Sequence, residues 1–339
     1  RATQAPATVC GAGVLIPTIL LTFAFVSFET ATANANTPKS GKTTVSIKSG
    51  DGLSGYQDIM AAKTPKPITI SADLYMPKAC GSEKMAAVII QHGSGSPENP
   101  WYPKLAKELN KNGIIAIVPN SFKARGLSAT GKDQSKLSKA TRLFDTFSTF
   151  KYLQGLSCVD PNRVGLTGYS FGGIISIDSV EEALANRLGN GFVYKATLPV
   201  YPSCQASFEN TKSTKTKVHI LAGSADDFTP AKYCVEGVKV KQEKGWDIQI
   251  TLLDGAHHGF NNDYPPKKNP NSWTFGDCGA LSIDADGYEV SRQHNTSTRS
   301  GWGTFVKTMA KKCGRKGVTV GGTDAFATKT LDFTVRYFK

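Results

Sequence analysis

One serine in this sequence stands where a hydroxyl can be made nucleophilic. The segment Arg163–Gly173 reads RVGLTGYSFGG: a short apolar run, then Gly168-Tyr169-Ser170-Phe171-Gly172, then a helical stretch. A G-x-S-x-G between strand and helix forces its serine into a strained turn, lifts the hydroxyl above the sheet and leaves it beside a helix N-terminus. The flanking glycines make room for the crowded backbone. An ordinary capping serine shares this pattern, so the partners decide between the two.

A serine hydroxyl reacts only when a base removes its proton. The chain has five histidines: His92, His219, His257, His258 and His294. His257-His258-Gly259-Phe260 directly follows the run DIQITLLDG, which places an imidazole just past a strand. His258 is the first choice and His257 the alternative. His219, inside KVHILAG, reads as a packed residue, and His294 falls in an irregular stretch and reads as solvated. The base in turn needs a carboxylate to fix its tautomer and stabilise the imidazolium. VHILAG runs into Gly223-Ser224-Ala225-Asp226-Asp227-Phe228-Thr229-Pro230, a loop before a proline-started helix. Asp226 is preferred by its spacing from Gly223; Asp227 is the one left to cap the helix, unless the two exchange roles. A tetrahedral intermediate also needs amide donors. One is the N–H of Phe171. The other comes from the loop after AAVIIQ, which reads His92-Gly93-Ser94-Gly95, with Ser94 preferred to Gly95 and His92 bracing the loop.

These groups need a scaffold that ends its strands at one rim. Strands are expected over Thr43–Lys48, Ile68–Tyr75, Ala86–Gln91, Ile114–Pro119, Arg163–Thr167, Tyr194–Val200, Val218–Ala222 and Asp247–Leu253. Between them, Tyr102–Asn110 and Leu137–Leu156 carry apolar residues at helical spacing. Continuous apolar strands alternating with amphipathic helices predict a mostly parallel sheet covered on both faces. The first two strands alternate more, which predicts an antiparallel opening hairpin. Residues 264–322 are rich in Lys, Asn, Gly and Pro with little periodicity, and read as a loop-rich insertion before a last helix, Asp324–Phe338. One α/β domain over 36–339 fits this pattern better than two.

Composition narrows the remaining classes. With 40% hydrophobic and 20% charged residues, the 339-residue chain can bury a sizeable core, so it is not a disordered protein; 33 Gly and 17 Pro without a Gly-X-Y period exclude a collagen-like fibre. The formal charge of +13 favours anionic surfaces or substrates, but the lysines fall in short clusters without a nucleic-acid-binding signature, and no nucleic-acid partner is expected. The apolar run Val14–Phe28 followed by Ala33-Asn34-Ala35 reads as a signal peptide over residues 1–35, too short for a comfortable membrane span. Six cysteines follow it: Cys80, Cys158, Cys204, Cys234, Cys278 and Cys313. An even number in an exported chain predicts disulfides and a periplasmic or extracellular location. Metal chemistry is not expected: there is no H-E-x-x-H or C-x-x-C, and Asp284-Ala285-Asp286-Gly287 lacks the later ligands of a calcium loop. No cofactor is implied.

Together, IIQHGSG, PNSFKARG, CVDPNRVGLTGYSFGG, YPSC, LAGSADDFTPAKYC and GAHHGF resemble the dienelactone hydrolase family of α/β hydrolases, over about residues 80–262 and the last helix. The resemblance implies an eight-stranded α/β-hydrolase sheet, hydrolysis of an ester or lactone, and a Cys204–Cys234 disulfide bracing the acid loop. Dienelactone hydrolases proper carry a cysteine nucleophile, with a glutamate near the position of His92-Gly93. Serine here points to ordinary carboxylic esters. Arg125, in SFKARG, either meets an anionic group of the substrate or braces its loop through a carboxylate. The expectation is a secreted serine hydrolase acting on a small-molecule ester. A serine peptidase is the same-chemistry alternative, weakened by the lack of a propeller-like repeat to gate peptides. The alternative from another class is a catalytically silent protein held to an anionic surface by its basic face.

Overall fold

The computed structural model describes residues 38–339, so the expected signal peptide lies outside the described residues. The chain opens with β1 (Gly41–Asp51), α1 (Tyr56–Met60), β2 (Lys66–Met76), β3 (Met85–Gln91), α2 (Trp101–Lys111), β4 (Ile115–Asn120) and α3 (Lys139–Gln154). It continues with β5 (Val159–Tyr169), α4 (Phe171–Asp178), α5 (Glu182–Leu188), β6 (Ala196–Val200), β7 (Ala206–Phe208), β8 (Lys217–Gly223), α6 (Lys232–Glu243) and β9 (Ile248–Leu253). The last part holds β10 (Lys267–Thr274), β11 (Leu281–Ile283), β12 (Glu289–Ser291), β13 (Thr296–Ser297), α7 (Trp302–Lys312), β14 (Arg315–Val320) and α8 (Asp324–Phe338).

All eight expected strands join one sheet, in the order β1-β2-β4-β3-β5-β6-β8-β9. The reason lies in their composition. β3 (MAAVIIQ) and β6 (ATLPV) are buried at every residue, as strands covered on both faces must be. β1 and β2 pair antiparallel, as do β2 and β4, while every pair from β4 to β9 is parallel. Leu143, Phe147, Phe150 and Leu153 of α3 pack on one face of the sheet. Leu105 and Leu109 of α2, with Ala327 and Val335 of α8, pack on the other. Helix starts follow local chemistry: the Ser138 hydroxyl accepts from the Thr141 amide at α3, and the Thr323 hydroxyl from the Phe326 amide at α8. This is the α/β-hydrolase architecture, with helices on both faces of a mostly parallel sheet.

The insertion is more ordered than its composition suggests. β10 and β14 form a bulged antiparallel ribbon, and β11, β12 and β13 join β7 in a four-stranded sheet. Phe305 and Met309 of α7 pack around the buried Cys278. β11, β12 and β13, two or three residues long, are too short to show a period. The six cysteines pair as Cys80–Cys158, Cys204–Cys234 and Cys278–Cys313, and the middle pair is the one implied by the family resemblance.

Candidate active site

β5 ends at Tyr169 and α4 begins at Phe171, so Ser170 alone must turn the chain. It does so at φ 55° and ψ −114°, a left-handed conformation costly for a residue with a side chain. The turn is tight enough to exclude side chains on either side. A Cβ at Gly168 would lie 2.0 Å from the Gly172 carbonyl oxygen, and one at Gly172 would lie 2.2 Å from that of Gln91. The serine hydroxyl is thereby held at the carboxyl end of the sheet, over the start of α4.

Two loops from neighbouring strand ends meet it. Ser170 Oγ lies 2.9 Å from His258 Nε2, and His258 Nδ1 lies 2.9 Å from Asp226 Oδ2. Asp226 Oδ1 accepts from the amides of Phe228 and Thr229, and the Thr229 hydroxyl donates to Oδ2. With Asp226 accepting at Nδ1, the proton is assigned to that nitrogen and the lone pair of Nε2 faces the serine. The imidazole is packed between rings, with the centroids of Tyr201 and Phe228 each 4.7 Å away. Both Asp226 and His258 are buried, so little water competes for these bonds. A serine–imidazole–carboxylate chain of this geometry can activate a hydroxyl for attack on a carbonyl.

The two candidate oxyanion donors lie on adjoining backbone. Phe171 is the first residue of α4, where an amide has no intrahelical acceptor. Among the described residues the Ser94 amide also has no hydrogen-bond acceptor, whereas the Gly93 amide donates to Tyr102. His92 is fully buried. Its Nδ1 lies 2.8 Å from the Gly93 carbonyl, and Nε2 accepts from the Ser121 amide at 3.3 Å. Burial, and then the Arg142 cation, hold its pKa well below the usual histidine range, so it braces the loop as a neutral ring.

Other expected roles are redistributed. Arg125 is not available to a substrate: Nε meets Asp51, Nη1 meets Asp145 and the Ser121 carbonyl, and Nη2 meets Asp145 and the Gly50 carbonyl. Every donor is committed, and the side chain is 5% exposed. Asp227 caps no helix. Its carboxylate accepts from the amide and hydroxyl of Thr319, tying β14 to the acid loop. His257 makes no hydrogen bond to Ser170, and its Nδ1 is buried without a partner. His219 is half-buried, bonded to Thr251 and packed on Phe333. His294 is not solvated as expected: its Nε2 is buried, and a ring nitrogen lies within 4.8 Å of the sulfurs of Cys278 and Cys313. That cluster is not a metal site here, because both thiols are consumed by their disulfide.

Four residues at the site escape a motif reading. Thr229, Tyr201 and Phe228 hold the Asp226 carboxylate and the His258 ring in place. Arg142 lies beneath the serine turn, and its position was legible in principle: helical spacing puts it on the stripe of Phe150 and Leu153. A cavity of about 100 Å³ beside Phe171 is lined by Tyr56, Lys139, Glu289 and Trp302 among others, so the insertion supplies one wall.

The family model for the dienelactone hydrolase family matches residues 70–311. Among curated proteins the chain is similar to Protein usf of Aquifex pyrophilus, 19% identical over 203 residues, covering 56% of this chain and 84% of that protein. It is also similar to Esterase YpfH of Escherichia coli (strain K12), 24% identical over 144 residues, covering 42% of this chain and 56% of the esterase. Similar solved structures include a thermophilic esterase of Thermogutta terrifontis, with 16% identity, a TM-score of 0.46 and coverage of 57% of this chain and 79% of that one. Another is a dienelactone hydrolase-like promiscuous phosphotriesterase from metagenomic libraries, with 14% identity, a TM-score of 0.47 and coverage of 66% and 86%. Among the described residues no helix is long and apolar enough to cross a membrane.

Proposed function

The chain belongs to the dienelactone hydrolase family, hydrolases acting on ester bonds, and from that premise we propose that it cleaves carboxylic esters through an acyl-enzyme on Ser170. One observation carries the reading: the unbroken chain Ser170 Oγ–His258 Nε2 and His258 Nδ1–Asp226 Oδ2, at 2.9 Å in each link. Ser170 Oγ attacks the ester carbonyl carbon and its proton passes to His258. The amides of Phe171 and Ser94 hold the oxyanion. As the intermediate collapses, the C–O bond to the alcohol breaks and His258 returns the proton to the departing oxygen. Water then attacks the acyl-enzyme, giving its proton to His258, and the acid leaves as Ser170 regains its proton. Asp226 stabilises the imidazolium at both stages. A serine in place of the family's cysteine favours simple esters over dienelactones. Because Phe171, the residue after Ser170, lines the neighbouring cavity, we assign that cavity to one arm of the substrate. Three disulfides fit an oxidising compartment, so the enzyme works in the periplasm or outside the cell.

The test is covalent. A fluorophosphonate probe is expected to label the wild-type protein at Ser170, and Ser170→Ala to lose labelling together with at least about 10⁴-fold of its activity on short acyl esters. Unchanged labelling in Ser170→Ala rejects the assignment. A panel of esters, lactones and peptides run in parallel sets the substrate class.

A further inference from the structure

We propose that Arg142 is a positioning residue for the oxyanion hole, a buried cation that locks together the two backbone segments donating to the oxyanion and places positive charge behind them. The inference rests on the serine-hydrolase reading above. The segments touch because Gly172 has no side chain: a Cβ there would lie 2.7 Å from the His92 carbonyl oxygen. Arg142 sits at this seam. Its Nη2 donates to that same His92 carbonyl, two residues before the Ser94 amide. Its guanidinium carbon lies 4.6 Å from the centre of the Phe171 ring and 5.5 Å from that of Phe122. A planar guanidinium suits both tasks, with donors in its plane for a carbonyl and a flat face for a ring.

Stability alone does not explain this arginine. It is 1% exposed, and its Nε and Nη1 have no partner among the described residues. Asp145, three residues on, gives both oxygens to Arg125 instead. Burying a cation without a carboxylate is costly, and an apolar side chain of similar size would suit the fold better. The charge gains a purpose where negative charge develops. In a water-poor site, a fixed cation favours the oxyanion far more than the neutral ester that precedes it. Burial pulls its pKa down only to about 9, so the cation persists at neutral pH.

Arg142→Met and Arg142→Lys separate this role from simple bracing. Each variant is titrated with fluorophosphonate, so that rates refer to competent sites. In Arg142→Met, kcat is expected to fall about 30- to 100-fold with KM within about twofold. Affinity for a trifluoromethyl ketone, whose adduct with Ser170 is itself an oxyanion, should fall by a similar factor. Arg142→Lys, which keeps the charge, should recover part of both losses. If Arg142→Met keeps its kcat and ketone affinity while only its melting temperature drops, Arg142 is a brace and the proposal is overturned. If Arg142→Met does not fold, Arg142→Lys decides alone: a partial, parallel loss of kcat and ketone affinity with KM within about twofold supports the positioning role, and unchanged values of both overturn it. A wild-type protein that neither labels nor hydrolyses esters overturns the serine-hydrolase reading itself, an outcome distinct from either of these.

Discussion

The rim of the sheet and the excursion over residues 264–322 meet on two neighbouring carboxylates, and the two regions are built by different means. At the rim, Ser170, Asp226 and His258 follow β5, β8 and β9, strands held in register by long parallel pairings. The insertion has strands of two or three residues, one bulged ribbon and a small cluster around Cys278 and Cys313. Besides the pairing of β11 with β7, three of its attachments converge: the Thr274 hydroxyl donates to the Phe228 carbonyl, the Tyr233 hydroxyl to the Gly276 carbonyl, and the Thr319 amide to the Asp227 carboxylate. All three end on or beside the acid loop. One carboxylate of that loop faces His258 and the next faces the insertion. Burial on both sides of a strand fixes position over long distances, whereas an excursion is fixed only where it is pinned.

The sharpest way to break this comparison is to exchange the two aspartates. Asp226→Asn should lower kcat by about 10⁴-fold, because an amide no longer holds the imidazole in the required tautomer. Asp227→Ala should leave kcat within a few-fold and reduce stability by about 1–2 kcal/mol through loss of the Thr319 contacts. Equal kinetic losses in the two variants would erase the distinction. Steady-state kinetics and urea unfolding read both.

Two disulfides offer a finer test. Cys204–Cys234 spans 30 residues and Cys278–Cys313 spans 35, so loop entropy gives each a similar stabilisation, about 3.7 kcal/mol. Their removal as Ser/Ser pairs should therefore lower unfolding midpoints alike yet differ in kinetics. Loss of Cys204–Cys234, which adjoins the acid loop, should reduce kcat. Loss of Cys278–Cys313 should spare kcat and alter KM. The smallest expected effect is at the insertion's wall of the cavity: Trp302→Ala should raise KM several-fold for the bulkier esters of a series while kcat changes little. An identical KM shift for every ester would remove Trp302 from the substrate's path.

How much was legible in the sequence follows the same division. Strand-end motifs singled out Ser170, Asp226 and His258, which the fold brings within hydrogen-bond distance, because apolar runs mark the strands and these residues stand at fixed places beyond them. Arg125 was left between two roles, since nothing local shows that Asp51 and Asp145 converge on it; the fold joins residues 74 and 20 positions away. Asp227 was read as a cap, because its true partner, Thr319, lies 92 residues downstream. His294 was read as solvated for a similar reason, since the Cys278–Cys313 disulfide it lies near is set by pairing and not by periodicity. The small strands of the insertion carry no pattern of their own and borrow their order from what they touch.

The strained turn at Ser170 also restricts how this gene can drift. Any side chain at 168 or 172 collides with the main chain within 2.2 Å, so the clash is with atoms that have no rotamer to change. In a saturation library selected only for folded protein, and not for turnover, codons 168 and 172 should already be depleted of everything but glycine. Replacing Ser170 by glycine, in contrast, should relieve the turn and enrich. Ser170, the proposed nucleophile, is thus the one position of the motif where selection for stability and selection for chemistry pull in opposite directions.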